Sequence, residues 1–168
     1  SGALVLNARA GELEREFPYG VVRQLFEGVI GEPSELTGAA ASARVVFSAP
    51  GADPHGGDAS FAALHGLYWV ALNLASQSPL VIEVDDLHWC DPPSLRYAVY
   101  LARRLEGLPV VLVATLRSNE PGTDPALLAE LSGDPAAVEL RPAPLSEEAT
   151  GRLIRERLDD EPDERFRH

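Results

Sequence analysis

Two adjacent aspartates follow directly after an apolar stretch, and of all the patterns in the chain this one points most clearly to chemistry. Residues 80–84 read LVIEV, and Asp85 and Asp86 come next. Carboxylate oxygens are preferred ligands of Mg²⁺. In phosphoryl transfer an aspartate supports the metal and another residue orients the attacking nucleophile. We therefore predict that Asp85 binds Mg²⁺ and that Asp86 acts on an attacking water. The alternative is a strand that runs into an Asp-rich turn.

A different interpretation groups four nearby side chains into a transition-metal site for a hydrolase: Asp85, Asp86, His88 and Asp91. Zinc ligands are usually more widely separated along the chain, which speaks against this hypothesis. Asp91 also has a structural explanation. An aspartate followed by Pro92 is typical of a helix start, because the carboxylate caps free N–H groups and proline suits the first helical position.

The other half of a nucleotide site is not found in the sequence. P-loop NTPases bind phosphates with the motif G-x-x-x-x-G-K-[ST], whose lysine contacts the β- and γ-phosphates. The 168 residues contain no such motif and no lysine. The chain also lacks methionine and opens at Ser1, close to an apparent strand. We interpret it as an internal fragment of a longer protein.

Composition narrows the classes of function. The net charge is −12 and all 14 basic residues are arginine, so we do not expect this segment to bind nucleic acid by itself. Cys90 is the single cysteine, which excludes an internal disulfide and predicts a reducing, cytoplasmic location. No apolar run approaches the roughly 18 residues of a membrane span.

Apolar stretches and amphipathic stretches alternate along the chain. Strands are predicted at 3–8, 80–85, 110–115 and 137–140, and helices at 19–30, 60–77, 91–107, 124–131 and 146–158. This order predicts a parallel sheet covered by helices on both faces. Residues 31–59 lose periodicity and gather Gly, Pro, Ser and Ala, which predicts a mobile surface loop. The charged tail from Asp159 should fray.

The motifs, taken in order, resemble one family. The chain is similar to the STAND branch of AAA-like P-loop ATPases, in particular to the large ATP-binding LuxR-type transcriptional regulators. The resemblance rests on residues 12–26, 64–69, 81–91 (VIEVDDLHWCD), 94–96, 101–105, 111–117 (VLVATLR) and 142–146. It covers nearly the whole chain except the segment 31–59.

The resemblance implies a role for each residue that matches a family motif. Asp85 would be the Walker B aspartate that binds Mg²⁺, and Asp86 the second acidic residue, near the attacking water. Thr115 and Arg117 would form the sensor 1 region, with Arg117 near the γ-phosphate, where a guanidinium can stabilise charge on the transferred phosphoryl. The implied catalytic residues are Asp86 and Arg117. The implied cofactors are ATP and Mg²⁺, contacted by Asp85, Thr115 and Arg117.

The resemblance also implies an architecture. Residues 1–141 would form a partial three-layer α/β P-loop NTPase core of the AAA/ASCE type, and 142–168 would begin a helical subdomain. The missing P-loop strand would lie between strands 110–115 and 137–140, which would leave their inner edges unpaired.

By the same resemblance, the parent protein would be an ATP-dependent switch in transcription. It would contact DNA only through a helix-turn-helix domain absent from these residues. The parent protein could also form a homo-oligomer. We expect the 168 residues alone to lack ATPase activity. The alternative function is a non-enzymatic α/β interaction scaffold.

Overall fold

The computed structural model contains a parallel three-stranded sheet. The model describes residues 2–48, 57–117, 120 and 122–158. The strands, in spatial order, are β1 (Leu4–Arg9), β2 (Leu80–Asp85) and β3 (Val110–Ala114). Both pairings are parallel, and Leu4, Leu80 and Val110 share one row of the register. The predicted α/β class with a parallel sheet is confirmed for these strands.

Helices connect and follow the strands in the described part of the chain. They are α1 (Gly20–Phe26), α2 (Arg44–Ser48), α3 (Gly57–Ala75), α4 (Pro92–Ala102), α5 (Pro125–Ser132) and α6 (Glu147–Leu158), with 3-10 turns at Glu12–Glu14, Pro33–Glu35, Gly38–Ala43 and Leu87–Trp89. None of the described helices is both long enough and apolar enough to cross a membrane. The chain divides into two compact units, Ser1–Ala137 and Val138–His168, and the second contains α6.

Only one face of the sheet is covered by the described residues. Alternate strand residues such as Leu6, Ile82 and Val84 are buried in a core that they share with α1, α3 and α4. Val111 and Val113 point to the other face and are 55% and 45% exposed. The expectation of a sheet covered on both faces is therefore wrong for the described residues. An all-apolar strand such as β3 predicts burial on both sides, but Val111 and Val113 on its second face remain about half exposed.

The segment 31–59 is not the structureless loop that its composition predicted. Residues 33–48 contain two 3-10 turns and α2, and Ala40, Ala43, Val46 and Phe47 are buried. The small residues allow close packing against α3, where a side chain at Gly66 would collide with the backbone nitrogen of Ala43. Helix α3 already begins at Gly57. Residues 49–56 lie outside the described part of the chain.

The strand predicted at 137–140 does not form. Val138 and Leu140 are each 82% exposed, and the sheet contains β1, β2 and β3 alone within the described residues. The alternation of apolar side chains is present there, but no neighbouring strand supplies backbone hydrogen bonds. The last helix is confirmed as α6, and the hydroxyl of Ser146 accepts a hydrogen bond from the Ala149 N–H, 3.2 Å away. The tail from Asp159 lies outside the described residues.

Candidate functional site

Asp85 and Thr115 meet at the carboxyl edge of the sheet. Asp85 is the last residue of β2, and Thr115 directly follows β3. The Thr115 hydroxyl donates a hydrogen bond to Asp85 Oδ1 over 2.9 Å, and the Thr115 N–H donates to the Val84 carbonyl over 3.1 Å. Because β2 and β3 are parallel and adjacent, their carboxyl ends lie side by side. The structure therefore brings together two of the residues that the sequence analysis selected.

Asp86 occupies a left-handed turn immediately after β2. Its φ is 55° and its ψ is 42°. Its N–H donates to the Thr115 hydroxyl at 3.0 Å, and the next N–H, of Leu87, donates to the Thr115 carbonyl at 2.8 Å. Aspartate adopts this conformation more readily than most residues, because its short polar side chain can hydrogen-bond locally. Three consecutive positions, Asp85 to Leu87, are thus held by Thr115.

Two arginines lie beside the Asp86 carboxylate. Arg9, the last residue of β1, donates to Asp86 Oδ2 from Nε at 3.2 Å and from Nη2 at 3.1 Å. Nε of Arg117 lies 4.0 Å from Asp86 Oδ1. The Arg9 and Arg117 side chains are 75% and 63% exposed, so these pairs are screened and individually weak. Either guanidinium can therefore turn to another anion at small cost.

Arg9 was missed by the sequence analysis. Its role depends on the register between β1 and β2, which places Arg9 opposite Asp85. The available signal was that a charged residue ends a short apolar strand. In a parallel sheet such a residue must lie at the same edge as Asp85.

An open depression lies along this edge. Its volume is about 280 Å³, and it is lined by Asn7, Ala8, Glu83, Val84, Asp85, Val113 and Thr115. Ligand pockets usually enclose about 300–1,000 Å³, so the depression provides one wall of such a site. Asp85 Oδ2 accepts no hydrogen bond from the described residues. An exposed carboxylate oxygen in a polar, open setting suits a hydrated Mg²⁺ ion.

Asp91 is buried and acts as a structural residue. It is 1% exposed and accepts hydrogen bonds from the N–H groups of Tyr19 at 2.8 Å, Val21 at 3.2 Å and Ser94 at 2.9 Å. The predicted cap of α4 is confirmed, and the same carboxylate also binds the start of α1. Burial, followed by the neighbouring charge of Asp91, raises the pKa of the Cys90 thiol well above its usual value.

The transition-metal interpretation is wrong. Asp91 is occupied by backbone donors, and His88 is buried with its ring against the Arg117 N–H and Glu120. Throughout the ranges that the model describes, no three His, Cys, Asp or Glu side chains converge on a point that could hold a metal ion. The side chains of these four residues, although close in sequence, therefore have different surroundings.

Comparisons with protein-family models, with curated proteins and with solved structures find no significant match for this chain. The resemblance to STAND ATPases consequently rests on the motifs of the sequence.

Proposed function

We propose that the carboxyl edge of the sheet is the metal and γ-phosphate side of an ATP site. By the resemblance, it would belong to the ATPase module of a signal-responsive transcriptional regulator. The observation that carries the proposal is the convergence of Asp85, Asp86 and Thr115, joined by hydrogen bonds of 2.9 and 3.0 Å, with two arginines alongside. Carboxylates, a hydroxyl and guanidinium groups together match the chemistry of a magnesium–phosphate complex.

The unpaired edge of β3 supports the proposal that another segment completes the ATP site. Val110–Ala114 pairs with β2 on one side and with no strand of the described residues on the other. An open strand edge is a template for a further strand. A parallel strand added there would end at the same edge as Asp85, so the loop after it would lie where a phosphate-binding loop is required. In this proposal the loop comes from a segment outside these 168 residues.

Each residue then has a distinct task. Asp85 would hold the metal through Oδ2 while Thr115 fixes its other oxygen, and bound Mg²⁺ would neutralise charge on the β- and γ-phosphates. Asp86 would orient the attacking water and accept its hydrogen bond. Arg117 would turn toward the γ-phosphate, which removes its weak attraction to Asp86. Arg9 keeps Asp86 paired when no phosphate is bound.

A second candidate function is supported by the uncovered face of the sheet. Val5, Val111 and Val113 are 46%, 55% and 45% exposed on that face. An exposed apolar patch of this kind marks an interaction surface. A scaffold that never bound nucleotide would use this face and would leave Asp85 without a ligand.

Calorimetry with Mg²⁺ and ATP separates the two functions. The titration is made on the 168-residue chain and on a longer natural chain that includes the preceding strand and loop. We expect weak or no binding by the short chain and clear binding by the longer one. Tight binding by the short chain would show that the phosphate-binding loop is wrongly assigned. Binding by neither would support the scaffold.

The Asp85→Asn substitution tests the metal contact within the longer chain. Asparagine keeps an acceptor for the Thr115 hydroxyl but removes the negative charge, so metal-dependent affinity should fall about tenfold or more. The matched control is Glu106→Gln. Glu106 is an exposed carboxylate in the turn before β3, at the opposite edge of the sheet from Asp85. An equal loss in both variants would mean that the site responds to net charge alone.

A further inference from the structure

We infer that His88 is a positioning residue that holds the segment carrying Arg117 in place, and this inference rests on the proposed function of Arg117 at the γ-phosphate. The His88 side chain is 1% exposed and lies just beyond the Asp85–Asp86 pair. No role for it follows from its position in the motif. The structure shows that the chain following β3 contacts this one residue at several points.

The contacts involve three parts of His88. Its ring Nδ1 accepts a hydrogen bond from the Arg117 N–H over 3.4 Å. Its backbone carbonyl accepts from the Thr123 N–H at 2.9 Å and from the Thr123 hydroxyl at 3.3 Å. Its ring Nε2 lies 3.1 Å from Glu120 Oε2. The imidazole of His88 therefore contacts Arg117 and Glu120, and the backbone of the same residue binds Thr123.

The protonation pattern of the ring follows from these partners. Because Nδ1 accepts the Arg117 N–H, a ring hydrogen of His88 is on Nε2. Nε2 lies 3.1 Å from Glu120 Oε2, in contact with the carboxylate, although the angles do not satisfy a hydrogen bond. The other oxygen of Glu120 accepts from Arg117 Nη1 at 2.9 Å. His88 thus holds the Arg117 backbone directly, and its ring lies against the carboxylate that binds the Arg117 guanidinium.

This arrangement sets the direction of Arg117. Its Nε lies 4.0 Å from Asp86 Oδ1, beside the proposed position of the attacking water. The Arg117 side chain is 63% exposed, so its own packing cannot hold it there. His88, at the buried end of the network, holds the Arg117 backbone and so fixes the position from which the guanidinium can turn toward the γ-phosphate.

Amide hydrogen exchange on the 168-residue chain tests the backbone contact without any nucleotide. Two variants of His88 are compared, and they differ in which ring nitrogen their side-chain amide can replace. His88→Asn keeps an acceptor near the position of Nδ1, and His88→Gln keeps a polar group only near that of Nε2. We expect the Arg117 amide to exchange about tenfold faster in His88→Gln and to stay protected in His88→Asn, since one hydrogen bond has been lost or kept. The Leu80 amide, which donates to the Pro109 carbonyl at 2.8 Å in the sheet, reports whether each variant remains folded.

Glu120→Ala provides a second variant, because Glu120 is 28% exposed and its loss should be tolerated by the fold. In this variant the Arg117 amide should keep its protection while NMR relaxation at Arg117 Nε becomes as fast as at Arg96, an exposed arginine of α4. Unchanged Arg117 exchange in His88→Gln, together with unchanged Nε relaxation in Glu120→Ala, would overturn the inference.

Kinetics on the longer chain connect this geometry to function. There His88→Gln should lower kcat about tenfold and leave KM unchanged, as expected for a group needed only in the transition state. A rise in KM with unchanged kcat would overturn the positioning role. Absence of any hydrolysis by the unsubstituted longer chain would instead count against the proposed function, and the exchange data would still decide whether His88 positions Arg117.

Discussion

Asp91 and Asp86 are five positions apart, yet their carboxylates have opposite surroundings. Asp91 is 1% exposed and is bound by three backbone N–H groups from two helix starts. The Asp86 side chain is 19% exposed and is bound by Arg9, with Arg117 near its other oxygen. The first carboxylate is held by immobile donors inside the protein, and the second by side chains that reach in from solvent.

The difference separates a carboxylate that the fold fully occupies from one that could still bind a ligand. A buried carboxylate satisfied by backbone donors has no capacity left for a ligand, and removing it leaves unpaired N–H groups. A partly exposed carboxylate held by exposed arginines can release them at little cost and bind something else. Burial and type of donor, rather than residue type, thus show which aspartates are available for chemistry.

The largest expected effect is that of Asp91→Ala. Three backbone N–H groups would lose their acceptor in a buried site, so the free energy of unfolding should fall by about 3 kcal/mol. Urea denaturation measures the change, with Asp85→Asn as the control expected to stay within about 0.5 kcal/mol. A loss below about 1 kcal/mol for Asp91→Ala would contradict the structural role of this carboxylate.

Alkaline pH should weaken the buried region through Cys90. Burial raises the pKa of its thiol, so the folded state keeps a proton that the unfolded state releases. This contribution to stability is complete below the ordinary thiol pKa and is lost as pH rises toward the folded value. Between about pH 8 and pH 10 the free energy of unfolding should fall by about 2 kcal/mol more in the unsubstituted chain than in Cys90→Ala. Parallel pH profiles of the two proteins would contradict this expectation.

Ser94→Ala should have a smaller effect in the same region. The Ser94 hydroxyl accepts a hydrogen bond from the Val22 N–H over 3.1 Å and is buried. Its removal should lower the free energy of unfolding by about 1 kcal/mol. Ser76→Ala, in which an exposed hydroxyl that donates to the Asn73 carbonyl is lost, should be nearly neutral in the same denaturation experiment. Equal losses of unfolding free energy in both variants would mean that the buried and the exposed hydroxyl contribute alike.

Arg9→Ala should have the smallest effect on stability. The Arg9–Asp86 pair is exposed, so we expect a loss below about 0.5 kcal/mol that disappears at high salt. Denaturation at low and high ionic strength measures it, with Arg103→Ala, which removes an exposed pair with Glu130, as the control. A salt-independent loss above about 2 kcal/mol would make Asp86 structural, like Asp91.

Local patterns correctly predicted the three strands that form the sheet and the start of α4. The apolar run before Asp85 and the Asp91–Pro92 pair each carry enough information within a few residues. The segment 33–48 was missed because its order depends on α3, which lies later in the chain and presents Gly66 to it. The strand predicted at 137–140 was wrong because a strand needs a partner, and side-chain alternation contains no information about one.

The part of the candidate site that depends only on the order and direction of the strands was predictable from the sequence. Parallel strands must bring Asp85 and Thr115 to one edge, so their proximity follows from the sequence pattern. The contact of Arg9 with Asp86 required the β1–β2 register, and the contact of Glu120 with His88 required the path of the chain after β3. The bond from Asp91 to α1 was hidden for the same reason, since it joins residues about 70 positions apart.

The close packing of α3 at Gly66 restricts which residues can occupy this position during evolution. Any side chain there would collide with the backbone at Ser42 and Ala43, which a change of rotamer cannot relieve. In descendants and relatives that keep the helical segment at 38–48, we expect glycine at this position without exception. Where another residue is found at 66, the segment 38–48 should differ in length or sequence as well, so the two sites should change together.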